Sequence, residues 1–281
     1  MKKKAVISID VEDWYHLDYF KGNLIDRSQS ILEDGTKEFI NIITQENIKA
    51  TFFVVGELIS TNLKLLLKIL NQGNEISGHS FNHIRPLTQN LQDFKLDSSR
   101  LLLEIQQKLN INNPGYRAPC FSLDNDRLQI LKELGYNYDS SKISAGFHPL
   151  YGSINTDSYT KKYDNVYVDD NFTEFELPTI NFLKRDIPIS GGGYLRILPW
   201  FLFKYLLKKF LKENDTYFFF IHPFELTNKN ISLPKDASLS SILRFGIGRS
   251  KSRLRFIKLI KILKEEGFEF VTFSDLTNDK K

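Results

Sequence analysis

The sequence predicts an α/β protein built on a mostly parallel sheet or barrel, and three observations predict it. Strand-like apolar runs alternate with helix-period segments from the first residues onward. Polar residues of catalytic type recur where a strand-like run ends. At 281 residues and 41% apolar content, the chain can bury one large core. Taken in order, AVISI at 5–9 has the length and β-branched content of a buried strand. A helix is expected around 36–45, the strand KATFFVVG at 49–56, a helix around 61–71, and the strand NEISGHS at 74–80. A helix near 91–109, the short strand GYRAP at 115–119, a helix around 124–134 and the strand NYDSS at 137–141 continue the alternation. From about 145 to 193 the helical period fades into loops and short strands, FELPTI among them. It resumes with a helix at 198–211, the strand TYFFFIHP at 216–223, a helix near 251–266 and FEFVTF at 268–273. No internal repeat is present. The expectation is a single domain over 1–275 with a loop-rich insertion near 145–193, followed by a charged tail at 276–281.

Composition excludes several classes. Charged residues make up 26% of the chain, ordinary for a globular protein and unlike a disordered one. The net charge of +4 reads as spread along the chain, with no dense basic cluster of the nucleic-acid kind, so no nucleic-acid partner is expected. The single cysteine, Cys120, rules out an internal disulfide framework. Three lysines open the chain as in an export signal, but acids interrupt the apolar stretch after five residues, so the segment reads as a first strand. On that basis a cytoplasmic location is expected. No stretch approaches the ~20 apolar residues needed to span a bilayer. The nearest, 198–214, is broken by Lys204, Lys208 and Lys209; it reads as a core-packed helix with a basic stripe that could also lie on the inner membrane surface.

The first strand ends in SIDVEDWYH, where Asp10, Glu12 and Asp13 crowd together. Carboxylates this close repel one another unless a cation or a shared proton relieves them. GHSFNH supplies the means, because His79 and His83 are spaced to hold one ion together. With one carboxylate they form a two-His, one-carboxylate set that leaves open positions for water and substrate. Arg117, Asp139 and His222 stand at further strand ends, and in (β/α) barrels the C-terminal strand ends converge on one site.

These motifs resemble the NodB-homology polysaccharide deacetylases, the fourth family of carbohydrate esterases, in this order: SIDVED, the H-[S/T]-x-x-H of His79 to His83, the R-x-P of Arg117 to Pro119, and His222 after the late strand FFFIHP. LGYNYDSS, FELP, SGGGYLRILPW and IHPFEL look closest to the branch associated with bacterial exopolysaccharide and surface-glycan synthesis. The resemblance covers Lys4 to about Phe273 and implies a distorted (β/α) barrel of the NodB-homology type. It further implies metal-dependent hydrolysis of N-acetyl groups from N-acetylhexosamine units of a bacterial polysaccharide or its lipid-linked precursor. A divalent ion, zinc above all with cobalt or nickel as substitutes, would polarise the acetyl carbonyl and activate water. On this reading Asp10 is the general base, His222 the general acid, and Arg117 the group that holds Asp10 ionised and oriented; Pro119, Asp139 and Trp14 border the substrate. Two alternatives are a same-scaffold hydrolase of a small non-peptide amide and a non-catalytic glycan-binding domain.

The first motif departs from the adjacent acids usual in the family, since Val11 follows Asp10. Residues two apart on a strand share a face, which favours Glu12 as the ligand, while a turn at 11–14 would favour Asp13. The acid that is not the ligand is expected to fix the turn through backbone N–H groups. His16 and His148 are expected to be structural or exposed. Asp139 belongs either to the pocket floor or to an Asx-type turn. SGGGYLR at 190–196 reads as a glycine turn before a Pro199 helix or as a sugar-contacting loop, and lacks the residues of a nucleotide loop. Trp14, Tyr15, Phe121, Phe147 and Tyr151 could stack on pyranose rings or belong to the core.

Overall fold

The computed structural model describes residues 2–146 and 148–279, so Phe147 and the last two residues of the tail lie outside the described residues. The first half is a run of β/α units: β1 (Lys4–Val11), α1 (Leu32–Gln45), β2 (Thr51–Val54), α2 (Leu63–Asn71), β3 (Glu75–Gly78), α3 (Leu91–Leu109), β4 (Gly115–Tyr116), α4 (Asn125–Leu134) and β5 (Tyr138–Asp139). Then come β6 (Thr160–Tyr163), β7 (Val166–Asp169), β8 (Phe172–Phe175), β9 (Thr179–Phe182) and β10 (Arg185–Pro188). The chain closes with α5 (Gly192–Ile197), α6 (Trp200–Glu213), β11 (Thr216–Ile221), α7 (Leu239–Gly246), α8 (Arg249–Glu265), β12 (Glu269–Phe270) and α9 (Phe273–Thr277).

The main sheet runs β11-β1-β2-β3-β4-β5-β8-β7-β6, parallel from β11 to β8 and antiparallel beyond, with β12 paired to the start of β1. It curls on itself: Asp215 N, at the foot of β11, donates to Asp164 Oδ2 in the β6–β7 turn at 3.3 Å. The result is a distorted α/β barrel. The stretch expected to hold loops and short strands forms the antiparallel edge β6–β8 and the separate β9–β10 hairpin. Short strands with partly exposed faces carry too little apolar signal to stand out in sequence.

β1 shows how the barrel positions a site. Its residues are nearly all buried, yet they alternate between two environments. Ala5, Ile7, Ile9 and Val11 join the large core under the helices, whereas Val6 joins the aromatic plug inside the curl, with Phe53, Tyr138, Phe175, Phe218 and Phe273. Ser8 and Asp10 continue the inner face toward the strand's C-terminal end, where the chain can stop being apolar.

The helix expected at 198–211 is α6, which begins at Trp200 because Pro199 has an extended conformation and caps it; the short α5 lies ahead of the expected range and ends before Pro199. The glycines at 191–193 accordingly open α5, and do not form the turn expected before Pro199. α6 buries Phe203, Leu206, Leu207, Phe210 and Leu211, as a core-packed helix should. α7 has no counterpart in the expectations; Leu239, Ile242 and Leu243 fall on one stripe, but that stripe is exposed and the helix buries Ser241 and Phe245 from its other side.

Candidate active site

Asp10 ends the inner face of β1, and Glu12 follows after a tight turn in which its N–H returns to Asp10 O at 2.9 Å. Glu12 keeps the inward direction of Asp10 and meets the two imidazoles of the loop after β3. Glu12 Oε2 contacts His83 Nε2 and lies 3.8 Å from His79 Nε2, and the three ligand atoms fall within 4.8 Å of one another. That loop is held in an uncommon shape, with Ser80 and His83 both at positive φ (61° and 54°). Asp97, in the middle of α3, accepts from Phe81 N at 2.8 Å and from Ser80 Oγ at 2.9 Å, which anchors the loop. His79 Nδ1 donates to the carbonyl of Arg117 at 2.8 Å, fixing the tautomer that leaves Nε2 facing Glu12.

Arg117 lies fully buried inside the curl. Its Nη1 donates to Asp10 Oδ1 (2.7 Å) and Ser8 Oγ (3.0 Å), its Nη2 and Nε reach Ser140 Oγ and O, and its guanidinium covers the Phe53 ring at 4.0 Å. Asp10 is therefore tied down through one oxygen. The other, Oδ2, faces the cavity and lies 4.0 Å from His222 Nε2.

His222 follows β11 and makes a reciprocal cap with the Pro223–Glu225 turn. Glu225 Oε2 accepts from both the N–H and Nδ1–H of His222 at 3.0 Å, while Glu225 Oε1 accepts from Arg196 Nε at 2.8 Å. A Cβ at Gly192 would sit 2.1 Å from Glu225 Oε2, so α5 must begin with glycine at this position. Burial alone would pull the His222 imidazolium down. The Glu225 hydrogen bond and charge, joined by Glu12 and Asp10, overcome that and raise it to about 9. His79 goes the other way, driven by burial to about 4, and stays a neutral donor. Burial would raise Glu12, but the surrounding imidazoles hold it well below the usual carboxylate range.

The remaining acid, Asp13, turns away from this group. Its Oδ1 accepts from Trp14 N (2.8 Å) and Ile31 N (3.2 Å), which caps the turn after β1. His16 closes the same turn, accepting from Asp13 N through Nδ1 and donating from Nε2 to Glu57. Three expected substrate contacts are corrected. Trp14 is fully buried against Phe20, Ile31 and Phe245 with its indole N–H on Gln29 O, so no sugar ring can reach its face. Asp139 is sealed below the site, where its carboxylate accepts from Ser141 N and Oγ in an Asx-type turn and is drawn toward Glu174. Pro119 is buried in the turn that follows β4. The walls of the cavity, about 420 Å³, come from Leu17, Tyr19, Phe121, Tyr151, Phe220 and Phe224 among others. His148, expected to be structural or exposed, also faces it, stacked at 3.9 Å on Tyr151.

Sequence reasoning missed Glu225, Arg196 and Asp97. The HPFE spacing of a histidine and an acid across one turn was a signal for Glu225. Asp97 sits in a polar helix and gives no signal.

A metal ion fits the trio. Glu12 Oε2 is buried, and the polar atoms nearest it are the two imidazole nitrogens that converge on the same point. The fold and site together define a (β/α)-barrel protein with a two-His, one-carboxylate centre flanked by an acid and an imidazolium. Residues 13–138 match the family profile described as "Polysaccharide deacetylase", and 140–278 match a "Domain of unknown function (DUF3473)". Residues 13–138 therefore carry a polysaccharide deacetylase domain, the family that the motifs from His79 to Pro119 resemble. It is 23% identical over 78% of its length to chitin deacetylase 1 of Cryptococcus neoformans. It is 32% identical over 36% of its length to a peptidoglycan-N-acetylglucosamine deacetylase of Bacillus cereus. These alignments span 41% and 47% of the relatives' own lengths. In fold it is similar to a Mycobacterium smegmatis structure assigned to the polysaccharide deacetylases, with a TM-score of 0.63, 16% identity, and coverage of 99% of this chain and 90% of the other. The site spans both matched regions: His79, His83 and Arg117 come from the first, Arg196, His222 and Glu225 from the second.

Proposed function

We propose that the chain is a metal-dependent deacetylase that hydrolyses the N-acetyl amide of N-acetylhexosamine units in a bacterial polysaccharide or its lipid-linked precursor, working as a single catalytic domain. The observation that carries this reading is the division of labour around one cavity. A carboxylate with one tethered and one free oxygen, Asp10, and a two-proton imidazolium, His222, flank the Glu12, His79 and His83 trio. Glu12, His79 and His83 would hold the ion, and zinc suits two imidazoles and a carboxylate. When bound, the ion supplies Lewis-acid polarisation of the acetyl carbonyl and lowers the pKa of a water molecule.

The protein's own groups do the rest. Asp10 Oδ2 takes a proton from the attacking water while Arg117 keeps Oδ1 in place. His222, protonated at both nitrogens at neutral pH, gives its Nε2 proton to the departing amine nitrogen, and Glu225 keeps Nδ1–H aligned. The C–N bond breaks, the acyl carbon gains the water oxygen, and acetate and a free amine result. Aromatic and aliphatic walls suit the apolar faces of pyranose rings.

The test combines acetate release from N-acetylated oligosaccharides with elemental analysis. Asp10→Asn is expected to lose more than about a hundredfold in kcat and keep its metal, the scale of a lost general base. His79→Ala is expected to lose both. An Asp10→Asn protein that still turns over normally would sink the reading.

A further inference from the structure

The distribution of charge over the last third of the fold points to a second property, independent of the reaction. Residues 187–212 and 237–264 contain thirteen lysines and arginines and no acid; against the overall +4, the rest of the chain carries −9. The two stretches lie far apart in sequence but pack together. Arg255 Nη1 donates to the carbonyls of Leu195, Arg196 and Leu198 at the α5–α6 junction (2.7–3.1 Å). Lys258 Nζ sits 5.7 Å from the Trp200 ring, and Arg196 Nη1 donates to Ile247 O at 2.7 Å. α6 and α8 thus run side by side in the same direction, with α7 and α5 at their N-terminal end.

The outward side of this assembly mixes cations with large apolar groups. Phe201 is 77% exposed, Leu254 56% and Ile197 55%, with Tyr205, Leu243 and Ile247 also open to solvent. Between them stand Lys204, Lys209, Arg244, Lys251, Lys258 and Lys261, all exposed and in no salt bridge among the described residues. Of the acids near these helices, Glu38 pairs with Arg253, Glu46 with Lys264 and Glu266 with Lys208, while Glu213 and Glu265 stand at the far C-terminal ends of α6 and α8. Ile197 and Arg244 also line the cavity, so the patch reaches its mouth. A second copy of the chain would bring this uncompensated charge against itself. A bilayer bearing anionic headgroups complements both features at once, taking the cations at its surface and the apolar tips at the acyl boundary.

We propose that the outward face of α5–α8 is a docking surface for an anionic phospholipid bilayer, holding the cavity mouth at the headgroup level. The test is co-sedimentation of the intact chain with vesicles of phosphatidylcholine alone or with about 30% phosphatidylglycerol, at low and high salt. Binding is expected to the anionic vesicles only and to weaken with salt. Lys204→Glu/Lys251→Glu/Lys258→Glu/Lys261→Glu should lower partitioning by at least about a hundredfold, on the scale of about fivefold per cation. Phe201→Ser/Leu254→Ser should weaken it while leaving melting temperature and hydrolysis of a soluble oligosaccharide unchanged. No binding to either vesicle, or equal binding by the charge-reversed protein, overturns the proposal. So does binding to double-stranded DNA that is as strong as to vesicles and indifferent to Phe201 and Leu254, or a dimer that buries this face.

Discussion

Glu225→Gln removes one charge and no volume, and the surroundings of the carboxylate fix its effect. Both His222 N–H groups point at Oε2 and Arg196 Nε points at Oε1, so every neighbour of this carboxylate is a donor. A glutamine amide must turn its NH2 toward either His222 or Arg196, and either choice sets donor against donor. The lost charge-assisted hydrogen bond to the imidazolium is worth about 1.5–3 kcal/mol, equivalent to about 1–2 pH units at 1.36 kcal/mol per unit. His222 stands at about 9 because of this partner, so in the variant it titrates around 7–8. A general acid works only while protonated, so activity falls as pH rises through its pKa. The assay is the pH dependence of kcat for acetate release. The wild-type alkaline limb is expected near 9 and the Glu225→Gln limb about 1–2 units lower, with KM little changed. An alkaline limb in the same place for both proteins would refute the role of Glu225 and, with it, of His222 as the acid.

Glu12→Gln should release the metal, because an amide oxygen is a much poorer donor to a divalent cation, whereas Asp13→Ala should keep it and lose about 1–2 kcal/mol of stability from the lost cap of Trp14 N and Ile31 N. Elemental analysis and thermal melts read the two effects. Arg117→Lys should cost at least about tenfold in kcat, since a point charge cannot reach Asp10, Ser8 and Ser140 together; near-normal turnover would make that network dispensable. Burial raises both Asp139, to about 6, and Glu174, which also feels the charge of Asp139. The folded state therefore binds protons that the unfolded chain releases, and stability present below the ordinary carboxylate range is lost as pH rises through about 6. Glu174→Gln mimics the protonated partner and keeps the acceptor for Lys142 N, so melts near pH 8 should rise while melts near pH 4 stay level.

What the sequence determined by itself is what depends on local period and residue chemistry. Strand alternation in AVISIDVE puts Ser8 and Asp10 on the inner face, and Glu12 keeps that direction past the strand's end. The βα order brings His79, Arg117 and His222 to the same end of the sheet as Asp10. Only the tertiary structure decided the rest. Trp14 beside the site motif reads like a sugar platform, yet Phe20, Ile31 and Phe245 close over it. Asp97 reads like any solvated helix residue, and its value lies in facing the N–H of Phe81 from sixteen residues away. Two acid-free stretches that look like scattered charge in the chain become one face when α6 and α8 pack together. Period and propensity act over a few residues and survive in the sequence, whereas the partner of a buried polar group or a surface charge is chosen by chain segments that meet only on folding.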